Sequence, residues 1–173
     1  MSTEVQTEIA TPMMVGLAEF AVSQDPTIGL CSYPLGACLG VTIYDPVVKV
    51  GGLLHSLLPA SSIDPVRAAN RPGMFLDTGL TAMLARAHEL NAKDENLLVC
   101  VAGGAQIMDD TSHFNIGKRN YDVLVELLKK LNLKISAEDV GGRTNRSIQL
   151  NISTGYVRLK FSGQPQPKTL CKP

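Results

Sequence analysis

The chain has 173 residues, 45% of them hydrophobic, which suits one domain with a real core. Lys plus Arg and Asp plus Glu number 16 each, so the formal net charge is zero and no basic run is present to hold nucleic acid or an anionic membrane. Trp is absent and aromatics make up 5%, which argues against base-stacking platforms, and no stretch approaches the ~20 apolar residues of a membrane span.

Residues 1–12, MSTEVQTEIATP, are polar and read as a flexible tail without the basic start and apolar core of a signal peptide. A cytoplasmic location is therefore expected, with Cys31, Cys38, Cys100 and Cys171 reduced. The folded domain is expected over 13–162. Met13 to Val22 is apolar enough for a strand, Ser23 to Pro26 reads as a turn, and Thr27 to Tyr33 as a second extended piece leading into Pro34. Leu39 to Tyr44 and Val50 to Leu58 are apolar runs separated by Asp45-Pro46. Asp caps such a turn and Pro fixes φ at its second position, so the two runs form a hairpin.

Ala60 to Pro72 is rich in Ser and Pro and reads as a loop. Phe75 to Asn91 has helical periodicity, with Leu76, Leu80, Met83, Leu84, Ala87 and Leu90 on one face and His88 off it, in solvent. Leu97 to Ala102, LLVCVA, has the pattern of a strand covered on both faces, with Cys100 as packing. Asp109, Asp110 and His113 read as a solvated loop. Asn115 is placed to cap a helix running to Leu131, with Val123, Leu124, Leu127, Leu128 and Leu131 as its buried stripe. Leu133 to Val140 reads as a strand, and Ile148 to Ile152 and Val157 to Phe161 as a hairpin. Residues 163–173 carry three prolines and little apolar content and read as a second flexible tail. The order of elements predicts a single domain of the α/β or α+β class, a mixed β-sheet with helices packed on it.

The chemistry concentrates between Leu35 and Pro59. If the hairpin is centred between Pro46 and Val47, Cys38 and His55 stand directly opposite on one face, with Cβ atoms roughly 5 Å apart. A slip of one residue would separate them. A thiol beside an imidazole makes a nucleophile: the imidazole takes the proton, stabilises the thiolate as an ion pair, and can then protonate a leaving group. The plainer reading, a buried small Cys and a hydrogen-bonded strand His, is favoured by spacing alone. Gly36 permits a tight bend beside Cys38, whose exposed N–H groups would suit an oxyanion. The cysteines show no CxxC spacing, and Cys31, Cys38 and His55 are not paired as zinc ligands are, so no metal site and no cofactor is expected. Gly103-Gly104 lacks the spacing of a phosphate loop.

Several motifs in order resemble the chemoreceptor glutamine deamidases called CheD. They are Leu35-Gly36-Ala37-Cys38-Leu39-Gly40-Val41, Asp45-Pro46, and Gly51-Gly52-Leu53-Leu54-His55-Ser56-Leu57-Leu58-Pro59. The likeness continues through Asp77-Thr78, Ala102-Gly103-Gly104-Ala105, Asn115-Ile116-Gly117-Lys118-Arg119-Asn120, Glu138-Asp139-Val140-Gly141-Gly142 and Arg146-Ser147, from about Val15 to about Phe161. Pro34 and Ala37 depart from it, standing for a glycine and a serine.

The resemblance implies a layered α/β sandwich and the hydrolysis of glutamine side chains in methyl-accepting chemoreceptors. Cys38 would be the nucleophile and His55 the acid and base. The family's histidine-orienting threonine maps onto Ser32, with Thr27 as the alternative hydroxyl. The resemblance also implies a CheC-type phosphatase as a partner, so that a regulatory binding protein with weak catalysis is a second reading. A Cys–His hydrolase of another amide is a third.

Overall fold

The computed structural model describes residues 10–107 and 115–173. Among the described residues, ten strands form two five-stranded sheets. The first has the order β1 (Thr11–Met14), β3 (Ile28–Leu35), β8 (Arg146–Asn151), β9 (Val157–Phe161) and β10 (Lys168–Cys171). The second has the order β2 (Glu19–Ser23), β5 (Val50–Ser56), β4 (Leu39–Asp45), β6 (Leu98–Gly103) and β7 (Ile135–Val140). Most pairs are antiparallel; β1–β3 and β6–β7 are parallel. Both sheets are therefore mixed, and the fold is a single-domain α+β arrangement in layers.

Alternation along β4 and β5 explains the layering. Val41, Ile43 and Leu54 point to one side and pack under α2 (Leu76–Glu89) and α3 (Ile116–Lys130), whose Leu80, Met83, Leu124 and Leu128 complete that core. Tyr44 and Leu53 point to the other side, against Leu30, Leu35, Ile148 and Leu150 of the first sheet. Strands covered on both faces read as near-continuous apolar runs, as these do. Gly51 lets the sheets approach: a Cβ there would meet Ile152 Cδ1 at 2.6 Å. Both long helices end in the same way. Asn91 and Asn132 adopt left-handed φ of 69° and 56°, and the N–H groups of Ala92 and Leu133 return to the Ala87 and Leu128 carbonyls.

Four expectations need correction. One sheet was expected and two are present. Met13 to Val22 is two strands, because the chain leaves the first sheet after Met14 and enters the second at Glu19. The crossing is pinned at both ends, Val15 N–H donating to Cys31 O and Ala18 N–H to His55 O. The Ala60–Pro72 loop contains a short helix, α1 (Pro65–Asn70), capped by Asp64, which accepts from Arg67 N. The tail expected over 163–173 contains β10, which pairs with β9 as an edge strand. Its short span between prolines hid it.

The hairpin register also differs. Asp45 pairs with Val50, and Gly40, not Cys38, stands opposite His55. The Asp45 carboxylate accepts from Val47 N–H (2.8 Å) and Val48 N–H (3.3 Å), and Lys49 turns left-handed at φ 54° to bring the chain back. Residues 46–49 thus form the loop, which is longer than the tight turn assumed from Asp45-Pro46.

Candidate active site

Cys38 lies in the bend just before β4, two residues ahead of Gly40, and continuing the alternation of β4 through that bend would put it on the His55 side, one diagonal step away. Such neighbours are roughly 7 Å apart, within reach of side chains. Cys38 is half-buried just ahead of β4, and His55 is buried near the end of β5.

Ser32 reaches the same place from the other sheet. It follows Leu30 by two residues on β3 and so faces the space between the sheets. Ser32 Oγ lies 2.7 Å from His55 Nδ1 and 2.6 Å from the Val15 carbonyl oxygen. A carbonyl only accepts, so the single hydroxyl proton goes to Val15 O. Ser32 Oγ must then accept from His55 Nδ1–H. This assigns the tautomer: the proton sits on Nδ1, and Nε2 holds a free lone pair. His55 Nε2 is buried without a partner among the described residues. Thr27 is exposed and donates to Asp25 Oδ1 at 2.7 Å, so it takes no part here.

Burial sets the protonation. It pushes the Cys38 thiol up, with the residue's own backbone N–H working the other way, and it pushes the His55 imidazole down. Both directions favour a neutral thiol and a neutral imidazole at rest, where the residue types alone suggested an ion pair. Glu19 is the register partner of His55 on β2, and its carboxylate accepts from Gly16 N–H at 3.1 Å.

The turn ahead of Cys38 is tied at three successive carbonyls. Ala105 N–H donates to Gly36 O (2.8 Å), Asn120 Nδ2 to Ala37 O (3.2 Å), and Gly104 N–H to Cys38 O (2.9 Å). Gly103, at φ +111°, leaves no room for a side chain: a Cβ there would sit 2.2 Å from Cys38 O. Behind it, the buried Arg146 donates to Asp139 Oδ1 (2.8 Å), Gly141 O (2.7 Å) and Thr144 O (3.2 Å), holding the loop after β7. Two clefts flank this region. One, of about 560 Å³, includes Tyr33, Pro34, Asn145 and Arg146; the other, of about 430 Å³, includes Gly104, Gly117, Lys118 and Gly141.

Asn120 and Arg146 appeared in the sequence only as motif members without a role. The available signal was position: Asn120 is four residues before Leu124 on the buried stripe of α3, where an apolar residue is normal. Cys31 lies on the opposite face of β3 from Ser32, with its thiol donating to Gly29 O, so it does not join Cys38 and His55. Cys100 is packed between the sheets. His88 lies on the surface, 2.6 Å from Asp94 Oδ1. Among the described residues no cluster of three or more His, Cys, Asp or Glu could hold a metal ion. Asp109, Asp110 and His113 fall outside the described residues.

Comparison with known proteins gives the family. The CheD family model, described as "CheD chemotactic sensory transduction", matches residues 57–161. The chain is 44% identical over 153 residues to "Probable chemoreceptor glutamine deamidase CheD 1" of Syntrophus aciditrophicus, covering 88% of this chain and 96% of that protein. It is 40% identical over 152 residues to the "Probable chemoreceptor glutamine deamidase CheD" of Solibacter usitatus, covering 88% and 90%. The protein of that name in Pyrococcus horikoshii is 40% identical over 150 residues, covering 84% and 90%.

Proposed function

Because the chain belongs to the CheD family, we propose that it is a chemoreceptor glutamine deamidase: it hydrolyses glutamine side-chain amides to glutamate and ammonia, with Cys38, His55 and Ser32 as its working residues. One observation carries the assignment of residues. Ser32 fixes the His55 tautomer and leaves Nε2 as a base on the Cys38 face.

Each step then follows from proton positions. Cys38 Sγ attacks the amide carbon as its proton passes to His55 Nε2. The carbonyl oxygen takes the charge of the tetrahedral intermediate. His55 Nε2–H protonates the departing nitrogen, which leaves as ammonia, and a thioester remains on Cys38. His55 next takes a proton from water, which attacks the thioester. The C–S bond breaks, the proton returns to sulfur, and the glutamate carboxylate is released. Transfer of the proton during attack suits a pair that is neutral at rest.

Intact-mass analysis of a chemoreceptor cytoplasmic fragment tests the reading. Each event exchanges NH2 for OH, so the fragment should gain that mass difference stepwise while ammonia appears in equal amount. An unchanged fragment mass would sink it. The family likeness also supports a cytoplasmic location and a CheC-type phosphatase as partner. No described helix is long and apolar enough to cross a membrane. Co-purification of the two proteins at defined concentrations checks the partnership, and absence of a complex would remove it.

A further inference from the structure

One polar side chain on the packed face of α3 is fully buried. Asn120 has no exposed surface, and its Nδ2 donates to two carbonyls, Ala37 O at 3.2 Å and Leu57 O at 3.1 Å. Both partners are acceptors, so the amide can face them only through nitrogen. Asn120 Oδ1 is left without a partner among the described residues. A buried unpaired acceptor is unfavourable, so the two donors are what this position uses.

Those donors act on the backbone at the site. Leu57 directly follows β5, the strand of His55, and Ala37 directly precedes Cys38. The Ala37–Cys38 bond is trans, since the only cis bond among the described residues is Tyr33–Pro34. In a trans peptide the C=O and the N–H point in opposite directions. Tying Ala37 O to α3 therefore turns Cys38 N–H away from the helix. The helix covers the outer face of β4 and β5, and His55 and Ser32 occupy the inner one. That is the side on which an amide oxygen would gain charge when the sulfur attacks.

We propose that Asn120 is a positioning residue for the deamidation: by holding Ala37 O, it sets the Ala37–Cys38 peptide so that Cys38 N–H donates to the oxyanion of the tetrahedral intermediate. The inference rests on Cys38 being the nucleophile of an amide hydrolysis. Asn120 itself touches neither the thiol nor the substrate.

The test compares wild type, N120L and N120S in three assays. N120L keeps the branched four-atom shape, though it is bulkier, and removes both donors; N120S is smaller and serves if the leucine disturbs packing. In deamidation of a receptor fragment, kcat should fall about 10- to 100-fold with KM unchanged, because the lost contact exists only at the tetrahedral stage. Alkylation of Cys38 by iodoacetamide should keep its wild-type rate, since displacement at a saturated carbon builds no oxyanion. A glutamine-derived peptide aldehyde, whose thiohemiacetal places an oxygen at that site, should bind more weakly by a similar factor.

Equal losses in alkylation and deamidation would overturn the proposal, because Asn120 would then support the pair in general. So would unchanged kcat, or a loss of fold in both variants, which would make Asn120 structural. A wild-type protein that leaves the receptor fragment unchanged would overturn the functional reading instead. The aldehyde and alkylation assays would still decide the role of Asn120.

Discussion

Ser32 Oγ stands between His55 Nδ1 and the Val15 carbonyl, 2.7 Å from one and 2.6 Å from the other, and its single proton orders all three groups. Ser32→Ala removes the acceptor that holds the Nδ1–H tautomer. Turnover should fall by roughly tenfold, the equivalent of one net hydrogen bond. Ser32→Thr should retain activity, because threonine presents the same hydroxyl with a stiffer χ1. Thr27→Ala should turn over at the wild-type rate. Steady-state ammonia release checks all three, and a damaging Thr27→Ala beside a silent Ser32→Ala would reverse the assignment.

Cys38→Ala should abolish deamidation and leave the melting temperature close to wild type, since the half-buried sulfur is not part of either core cluster. Thiol labelling gives an independent check. Burial, with Cys171 nearby, pushes the Cys100 thiol up to about 12, so it is almost wholly un-ionised at neutral pH. Limiting iodoacetamide followed by peptide mapping should therefore find Cys38 modified before Cys100. The reverse order would count against Cys38 as nucleophile.

His55 should give the pH profile of kcat/KM an acid limb. Only the neutral ring accepts the thiol proton, and burial lowers its pKa, so the limb should inflect below the ordinary value of about 6.5. An inflection above that value would mean that the resting pair is thiolate and imidazolium. Stability follows the same sign. As pH falls below about 6.5 the unfolded chain binds a proton that the folded chain resists, so this group's contribution is lost on acidification. His55→Ala should remove that component from a stability–pH curve and should also abolish turnover.

Asp45 should matter for the fold without touching the chemistry. Burial alone would raise its carboxyl, but the N–H groups of Lys93 and Val47, the Asn96 amide and the Val48 N–H outweigh it and hold the pKa below the usual carboxylate range. A depressed carboxyl contributes stability that is present above its unfolded value and is lost as pH falls through the folded one. Asp45→Ala should cost about 2–4 kcal/mol at neutral pH by urea unfolding, given bonds to a charged acceptor. The difference from wild type should shrink in acid. An equal difference at every pH would show that the charge is not what binds the turn.

Asp45 also shows where reading the sequence stops. Asp45-Pro46 marked the turn, and the apolar runs on either side marked two strands, because turn residues and burial patterns are local properties. The register was not local. It depended on the Asp45 side chain holding Val47 and Val48 and on Lys49 turning left-handed. The centre of the hairpin moved by one residue, which shifts every partner by two and keeps each paired side chain on its face, so that Gly40 rather than Cys38 stands opposite His55.

Motif order was enough to point to the family, and the capped, amphipathic helices α2 and α3 were legible from their periodicity. The division into two sheets was not, because the crossing from β1 to β2 falls inside a stretch that reads as one apolar strand. Strand alternation set Ser32 among core-facing neighbours, but its partner lies 23 residues away in the other sheet, and only the stacking of sheets brings them together. Asn120 is further still, 83 residues from Ala37, and joins the nucleophile turn only because α3 packs across β4. Residue chemistry and periodicity reside in the chain itself. Which proton sits on which nitrogen, and which carbonyl is held, depends on distances between distant segments, and those arise only on folding.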